Sequence, residues 1–270
     1  MGVKMPNRAA DTFRIAIIAS GENFNHQEVD TLKYLFTKNM NDIMVYDSSN
    51  SLEDVINFDP NLSIIITPTE KDEEHGAVIA SQLESETLQL LAKTSGGVVI
   101  RTPLPIEIID RLCATNDKVV YYPMLFNEGK DENQTFHILG GAENSVMAMG
   151  NILRSKSTAL VSNIVMATAV EAAMIEQGIS AITGMKYMFL NQLHDFMTEY
   201  GGDYHLVSSY INSHPSTGLT NDRVPNRNYK RGIQDIRVDA IKNLMNMDKE
   251  LFTTLENFDI INTSYTNRED

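Results

Sequence analysis

The chain has 270 residues, 42% of them apolar and 21% charged, which suits one large or two ordinary globular domains and excludes a disordered or fibrous chain. Its formal net charge of −14 speaks against nucleic acid and anionic membrane surfaces as partners, because both are gripped by clustered Lys and Arg. The single cysteine, Cys113, excludes an intramolecular disulfide and a multi-cysteine metal site. Met1 to Asp11 holds no apolar signal core, so a cytoplasmic protein is expected. The six histidines are scattered without metal-ligand spacing, and no metal is expected.

In chain order, Phe13 to Ser20 reads as a buried strand that runs directly into Gly21-Glu22-Asn23. A helix from about His26 to Lys38 follows, with Val29, Leu32, Leu35 and Phe36 on one face, and Ile43 to Asp47 is the next strand. This β-α-β unit has about the 30-residue length of a mononucleotide-binding half. Ser51 is placed to cap a short helix to Phe58. Leu62 to Pro68 is a nearly continuous apolar run, as in a parallel strand covered on both faces. Glu70 to His75 reads as an acidic, solvated loop before a helix ending near Lys93. Gly96-Gly97 turns the chain into the strand Val98 to Arg101, and Pro105 suits the first position of a helix to about Ala114. Lys118 to Tyr122 and Thr135 to Leu139 are two further strands.

After Ala142 the pattern turns helical. From Ser155 to Tyr200 the apolar positions recur at three- and four-residue steps, so one long helical segment is expected there. Glu171 and Glu176 interrupt it before it reaches the length of a membrane span. A helix around Tyr204 to Asn212, a loop from Ser213 to Arg231 and a helix from about Ile236 to Leu255 complete the chain. The βαβα order predicts an α/β fold: a Rossmann-like, doubly wound parallel sheet over residues 12–153. A mostly helical central or dimerisation domain is expected over 154–260, and a polar tail over 261–270.

Five stretches carry a resemblance. They are Ile64-Ile65-Ile66-Thr67-Pro68-Thr69, Val98-Val99-Ile100-Arg101-Thr102-Pro103-Leu104-Pro105, Tyr122-Pro123-Met124-Leu125-Phe126-Asn127-Glu128-Gly129, Lys186 to Gln192, and His214 through Val224-Pro225 to Gly232. In order and spacing they resemble the UDP-glucose/GDP-mannose dehydrogenase family, whose members oxidise a nucleotide sugar with NAD. The corresponding family patterns are a strand ending in Thr-Pro, "VVIKSTVP", "NPEFLREG", "KISFINE" and the loop before "GGxCFPKD". On this resemblance, the family's C-terminal nucleotide-binding domain is not expected within these 270 residues.

The resemblance implies NAD as cofactor, held by Gly21, Asp47, Thr67, Pro68 and Thr102, with Asp47 at the ribose. It implies a nucleotide or nucleotide-sugar ligand, with Glu128, Lys186 and Asn191 as candidate catalytic or substrate residues, and a homodimer through the long helix. For Lys186 a purely structural role is the competing reading. The family's chemistry is not carried over. The position of its thiohemiacetal-forming cysteine falls near Gln234 and Asp235, and Cys113 reads as an ordinary buried thiol. Its catalytic lysine falls on Glu176, its asparagine on Ser180 and the glutamate of "NPEF" on Met124. Arg237 and Asp239 match its "KD" pair only with an insertion. A carboxylate in place of a cation opposes a developing alkoxide. The expectation is therefore a nucleotide-sugar dehydrogenase homologue with impaired or lost catalysis; the alternatives are an inactive nucleotide or nucleotide-sugar binder and a dimeric scaffold.

Overall fold

The computed structural model describes residues 12–19, 26–37, 41–47, 51–67, 70–71, 78–123, 137–158 and 163–214. The elements run β1 (Arg14–Ile18), α1 (His26–Phe36), β2 (Asp42–Tyr46), α2 (Leu52–Phe58) and β3 (Leu62–Ile65). Then come β4 (Glu70–Lys71), β5 (Val78–Ile79), α3 (Ser81–Lys93), β6 (Gly97–Ile100), α4 (Ile106–Thr115) and β7 (Val119–Tyr121). The last are β8 (His137–Gly141), α5 (Glu143–Lys156), β9 (Ile164–Ala167), α6 (Ala169–Glu199) and α7 (Tyr204–Ser213). The chain divides into two compact units, Met1–Glu176 and Gln177–Asp270.

The first unit is built on a seven-stranded sheet in the order β2-β1-β3-β6-β7-β8-β9. Alternate residues of each strand enter opposite cores, as the two-residue strand period requires. Ala16, Ile18, Ile65, Val98, Ile100, Val119 and Tyr121 face one core, which α2, α3, α4 and the start of α6 close with Val55, Leu83, Leu90, Ile109, Leu112, Ala172 and Ala173. Ile15, Ile17, Ile64, Val99, Val120 and Leu139 face the other, closed by Val29, Leu32 and Phe36 of α1 and Val146, Met149 and Leu153 of α5. Burial on both faces explains why these strands read as unbroken apolar runs. Each fully buried Ile contributes about 1.5–3 kcal/mol.

Local signals set several element ends. The Asp54 carboxylate accepts from the Ser51 N–H and hydroxyl at 2.9 Å each, so Ser51 opens α2 as expected. Pro105 caps α4 and Ile106 is its first residue, one position later than expected. The stretch read as an acidic loop holds a short antiparallel pair, Glu70 opposite Ile79 and Lys71 opposite Val78.

Two larger expectations are corrected. The sheet is not uniformly parallel: β8 runs antiparallel to β7, with Val120 opposite Gly141. Nor is Ser155 to Tyr200 one helix. α5 ends at Lys156, Ile164–Ala167 forms β9 parallel to β8, and α6 starts at Ala169. The physical cause is the pairing of β-branched Ile164 and Val165 along β8, followed by a capping box at the next turn. There Thr168 Oγ1 accepts from the Glu171 N–H at 3.2 Å, and the Glu171 carboxylate accepts from the Thr168 N–H at 2.8 Å. Gly140 of β8 makes room for the first turn of α6: a Cβ there would lie 2.5 Å from that of Ala172.

In the second unit α6 stops at a Schellman turn. The Gly202 N–H donates to the Met197 carbonyl at 2.8 Å and the Gly201 N–H to that of Thr198 at 3.3 Å, with Gly201 at φ +68°. Asp203 then caps α7 by accepting from the Leu206 N–H at 3.1 Å. Leu190 and Tyr204 are buried against Leu193, Met197 and Ile211. No helix is long and apolar enough to cross a membrane, among the described residues.

Candidate functional site

The connection from β1 passes through α1 to β2 on one side, and the chain returns through α2 to β3 on the other. Strand order therefore reverses between β1 and β3. In open α/β sheets, ligands enter outside the carboxyl ends of the strands at such a reversal. Backbone bonds hold the residues just beyond those ends in a row. Ala19 N–H donates to Tyr46 O at 2.8 Å, Ile66 N–H to Ile18 O at 2.8 Å, Arg101 N–H to Ile65 O at 2.9 Å and Tyr122 N–H to Ile100 O at 2.8 Å.

On one side of this row stands Thr67, fully buried beyond β3. Its hydroxyl donates to Glu86 Oε2 at 2.9 Å, and its carbonyl accepts from the Thr102 hydroxyl at 2.7 Å. Gln82 Nε2 donates to the other Glu86 oxygen at 3.0 Å, so the buried Glu86 carboxylate is satisfied within the protein. The structure thus brings Thr67 and Thr102 together, with both hydroxyl protons already committed. Asp47 follows β2, partly exposed at the same edge. Next to it the Tyr46 hydroxyl is held above its ordinary pKa, by burial first and then by the charges of Glu86, Asp47 and Asp54.

On the other side lies a buried network that the sequence did not single out. Arg101 Nε donates to Glu28 Oε1 at 2.6 Å, and the two side chains are only 2% and 9% exposed. Glu28 belongs to the first turn of α1. The guanidinium carbon sits 4.2 Å over the Tyr122 ring. Burial works against the Arg101 charge, but Glu28 and Tyr122 more than offset it and its pKa is raised. The Tyr122 hydroxyl pairs with His137 Nδ1 at 2.5 Å. His137 is held down to about 4, by burial and then by the Arg101 charge, so its ring is neutral at pH 7. The one available signal for Arg101 was its place at a strand end within Val98 to Pro105; Glu28 reads as an ordinary first-turn acid.

Glu176, the counterpart of the family's lysine in the sequence comparison, is 1% exposed on α6. After burial, its charge is the next cause raising Tyr121 well above the usual phenol range. Cys113 is buried and its thiol is pushed up to about 11, mainly by burial. Lys186 and Asn191 are half-buried on α6 in the second unit, where Ser180 is buried. Gly21, Pro68, Glu128, Met124, Gln234, Asp235, Arg237 and Asp239 lie outside the described residues. Among the described residues no three His, Cys, Asp or Glu side chains gather as metal ligands.

A dinucleotide would need an acceptor for its ribose hydroxyls and a helix N-terminus for its pyrophosphate. Asp47 fits the first requirement. In the first turn of α1 stands Glu28, whose carboxylate is held by Arg101, and the turn from β1 into α1 lies outside the described residues.

No protein-family model matches the chain, and neither does any curated protein. Solved structures do. UDP-D-ManNAc dehydrogenase from Pyrococcus horikoshii superposes with a TM-score of 0.62 at 17% identity, covering 91% of this chain and 72% of that one. UDP-glucose dehydrogenase from Pyrobaculum islandicum does so with 0.60 at 12% identity, covering 97% and 70%. The 3-hydroxyisobutyrate dehydrogenase of Mycobacterium tuberculosis, which is not named for a nucleotide sugar, reaches 0.62 at 11% identity over 86% and 87%. At these identities the likeness concerns the fold. The chain has a Rossmann-like, nucleotide-sugar dehydrogenase-like fold.

Proposed function

We propose that this protein is a divergent nucleotide-sugar dehydrogenase homologue whose catalysis is lost. The observation that carries this reading is Glu176, a carboxylate 1% exposed where the resemblance calls for a lysine. A cation there would stabilise the alkoxide formed as hydride leaves the sugar; a buried carboxylate does the opposite. The only cysteine is a buried thiol with its pKa near 11, the wrong state for a nucleophile toward an aldehyde. NAD is the group that a crevice of this type takes, with Asp47 toward the ribose.

The test is NADH formation with UDP-glucose and GDP-mannose. The expected rate equals that of a control without protein, and turnover above it would refute the reading. A second reading, a dimeric scaffold built on α6, is favoured by its exposed apolar side chains. Ile182 is 53%, Phe189 50% and Phe196 55% exposed. Sedimentation of the full chain tests it: a dimer supports the scaffold, and a monomer at micromolar concentration removes it.

A further inference from the structure

We propose that the sheet edge at β9, together with the outer stripe of α5, joins two copies of this chain. β9 pairs antiparallel with β9 of the second copy, and Glu143 of each copy meets Arg154 of the other. This surface lies within the first unit and is independent of the α6 face considered above.

β9 ends the sheet, and among the described residues it pairs with β8 alone. An edge strand offers unpaired N–H and C=O groups, which proteins commonly guard with charged residues or Pro. β9 reads Ile-Val-Met-Ala and carries neither. It is apolar on both sides. Ile164 packs on the core that α5 closes, so Met166, two residues on, points the same way and Val165 the other. Val165 is 42% and Met166 37% exposed, and Met147 of α5 and Val170 at the start of α6 are exposed as well.

Charge indicates what covers the edge. A Cβ on Gly150 would lie 2.6 Å from the Met166 methyl and 4.0 Å from Arg154 Nη1, so this side of α5 borders the edge strand. Steps of three and four residues place Glu143, Met147, Gly150 and Arg154 in one stripe: acidic at its N-terminal end, apolar in the middle and basic at its C-terminal end. Such a stripe is complementary to itself when reversed. Two identical strands that meet edge to edge about a twofold axis normal to the sheet run antiparallel, and α5, which connects the parallel strands β8 and β9, reverses with them. Residues opposite each other share a face, so the pairing centres on Val165 or Met166. Helices packed over β8 and β9 then stand two to three strand spacings apart, about 10–14 Å, which Arg and Glu side chains span. A chain of net charge −14 repels its own copies, and a contact between them needs a neutral patch with matched ends.

The test is sedimentation equilibrium of the full chain at up to about 100 μM, with thermal melts on the same samples. The wild type should dimerise. V165K, E143R and R154E should each weaken the dimer at least about tenfold, and E143R/R154E should return to within about threefold of wild type. The dipole of α5 acts in the opposite sense on folding, since the double variant puts the unfavourable charge at both ends of the helix. Restored association therefore cannot come from restored stability. If V165K does not fold, the variants at the exposed positions of α5 decide alone. A monomeric wild type overturns the proposal, whether another protein covers the edge or it stays bare. A wild-type dimer that V165K and E143R leave intact also overturns it and moves the interface elsewhere, α6 included. A double variant no tighter than E143R does the same.

Discussion

His137 should make the protein acid-labile in a window set by its own pKa. It is the first residue of β8, is 1% exposed, and its Nδ1 lies 2.5 Å from the Tyr122 hydroxyl. Burial first, and then the Arg101 guanidinium, lower its pKa from 6.5 to about 4. In the unfolded chain the imidazole takes a proton below about pH 6.5 that the native state refuses until about pH 4. The unfolded state therefore binds more protons throughout that interval. Stability is whole above the unfolded value and falls as pH drops toward the folded one. The drop from 6.5 to about 4, at about 1.36 kcal/mol per pH unit, gives roughly 3 kcal/mol in full, of which about 2 kcal/mol falls between about pH 7 and 4.5. Carboxylates elsewhere titrate in the same range, so the quantity to measure is the difference between wild type and H137Q, whose side-chain amide can still hydrogen-bond Tyr122. Urea unfolding at several pH values should show the wild type losing about 2 kcal/mol relative to H137Q between about pH 7 and 4.5. A difference that stays flat within about 0.5 kcal/mol, or that changes sign, would refute the assignment of His137 as a buried neutral base.

Three further outcomes are expected. Gly140→Ala drives a methyl to 2.5 Å from Ala172 Cβ and 2.9 Å from the Thr168 carbonyl, so it should cost about 1–3 kcal/mol in urea unfolding; a variant as stable as wild type would show that α6 can shift away from β8. Thr168→Ala removes the hydroxyl that caps α6 and should cost about 0.5–2 kcal/mol, whereas Thr168→Ser should recover most of it; equal losses would point to the methyl instead. Cys113, 6% exposed with its pKa at about 11, should resist iodoacetamide in the native state and react once unfolded, and prompt native alkylation would show that α4 opens.

The strands were legible where both faces are covered. Ile15 to Ile18 and Leu62 to Ile65 each divide between the two cores, and only a central parallel strand lets apolar residues run on without alternation. β9 was not legible by period, because a four-residue strand beside an apolar helix contributes the same residue types as one more turn. The usable signal was chemical: Thr168 and Glu171 spell a capping box, which announces a fresh start and forbids a continuous helix. The direction of β8 depends on the connection that precedes it, which carries no periodic pattern. Thr67 and Thr102 were reached through the family resemblance, and the structure does bring them into contact. Glu28 and Arg101 are 73 residues apart, each ordinary by itself, and become a pair only when α1 is laid against the end of β6.

That pair bears on whether the crevice still works as its architecture suggests. A binding site keeps its polar groups ready for the ligand, so that binding adds hydrogen bonds instead of exchanging them. Here Glu28 holds Arg101, Glu86 holds Thr67, and Thr102 is spent on the Thr67 carbonyl. A ligand that drew Arg101 to itself would have to separate it from Glu28, and breaking such a buried pair costs about 3–5 kcal/mol. At about 1.4 kcal/mol per decade, a ligand that would otherwise bind at about 1 μM falls to roughly millimolar affinity. The same bonds that would weaken binding strengthen the sheet edge, because every one of them is made in the ligand-free protein. Groups closed on each other as these three pairs are suit the holding of strands and helices in place better than release for a cofactor.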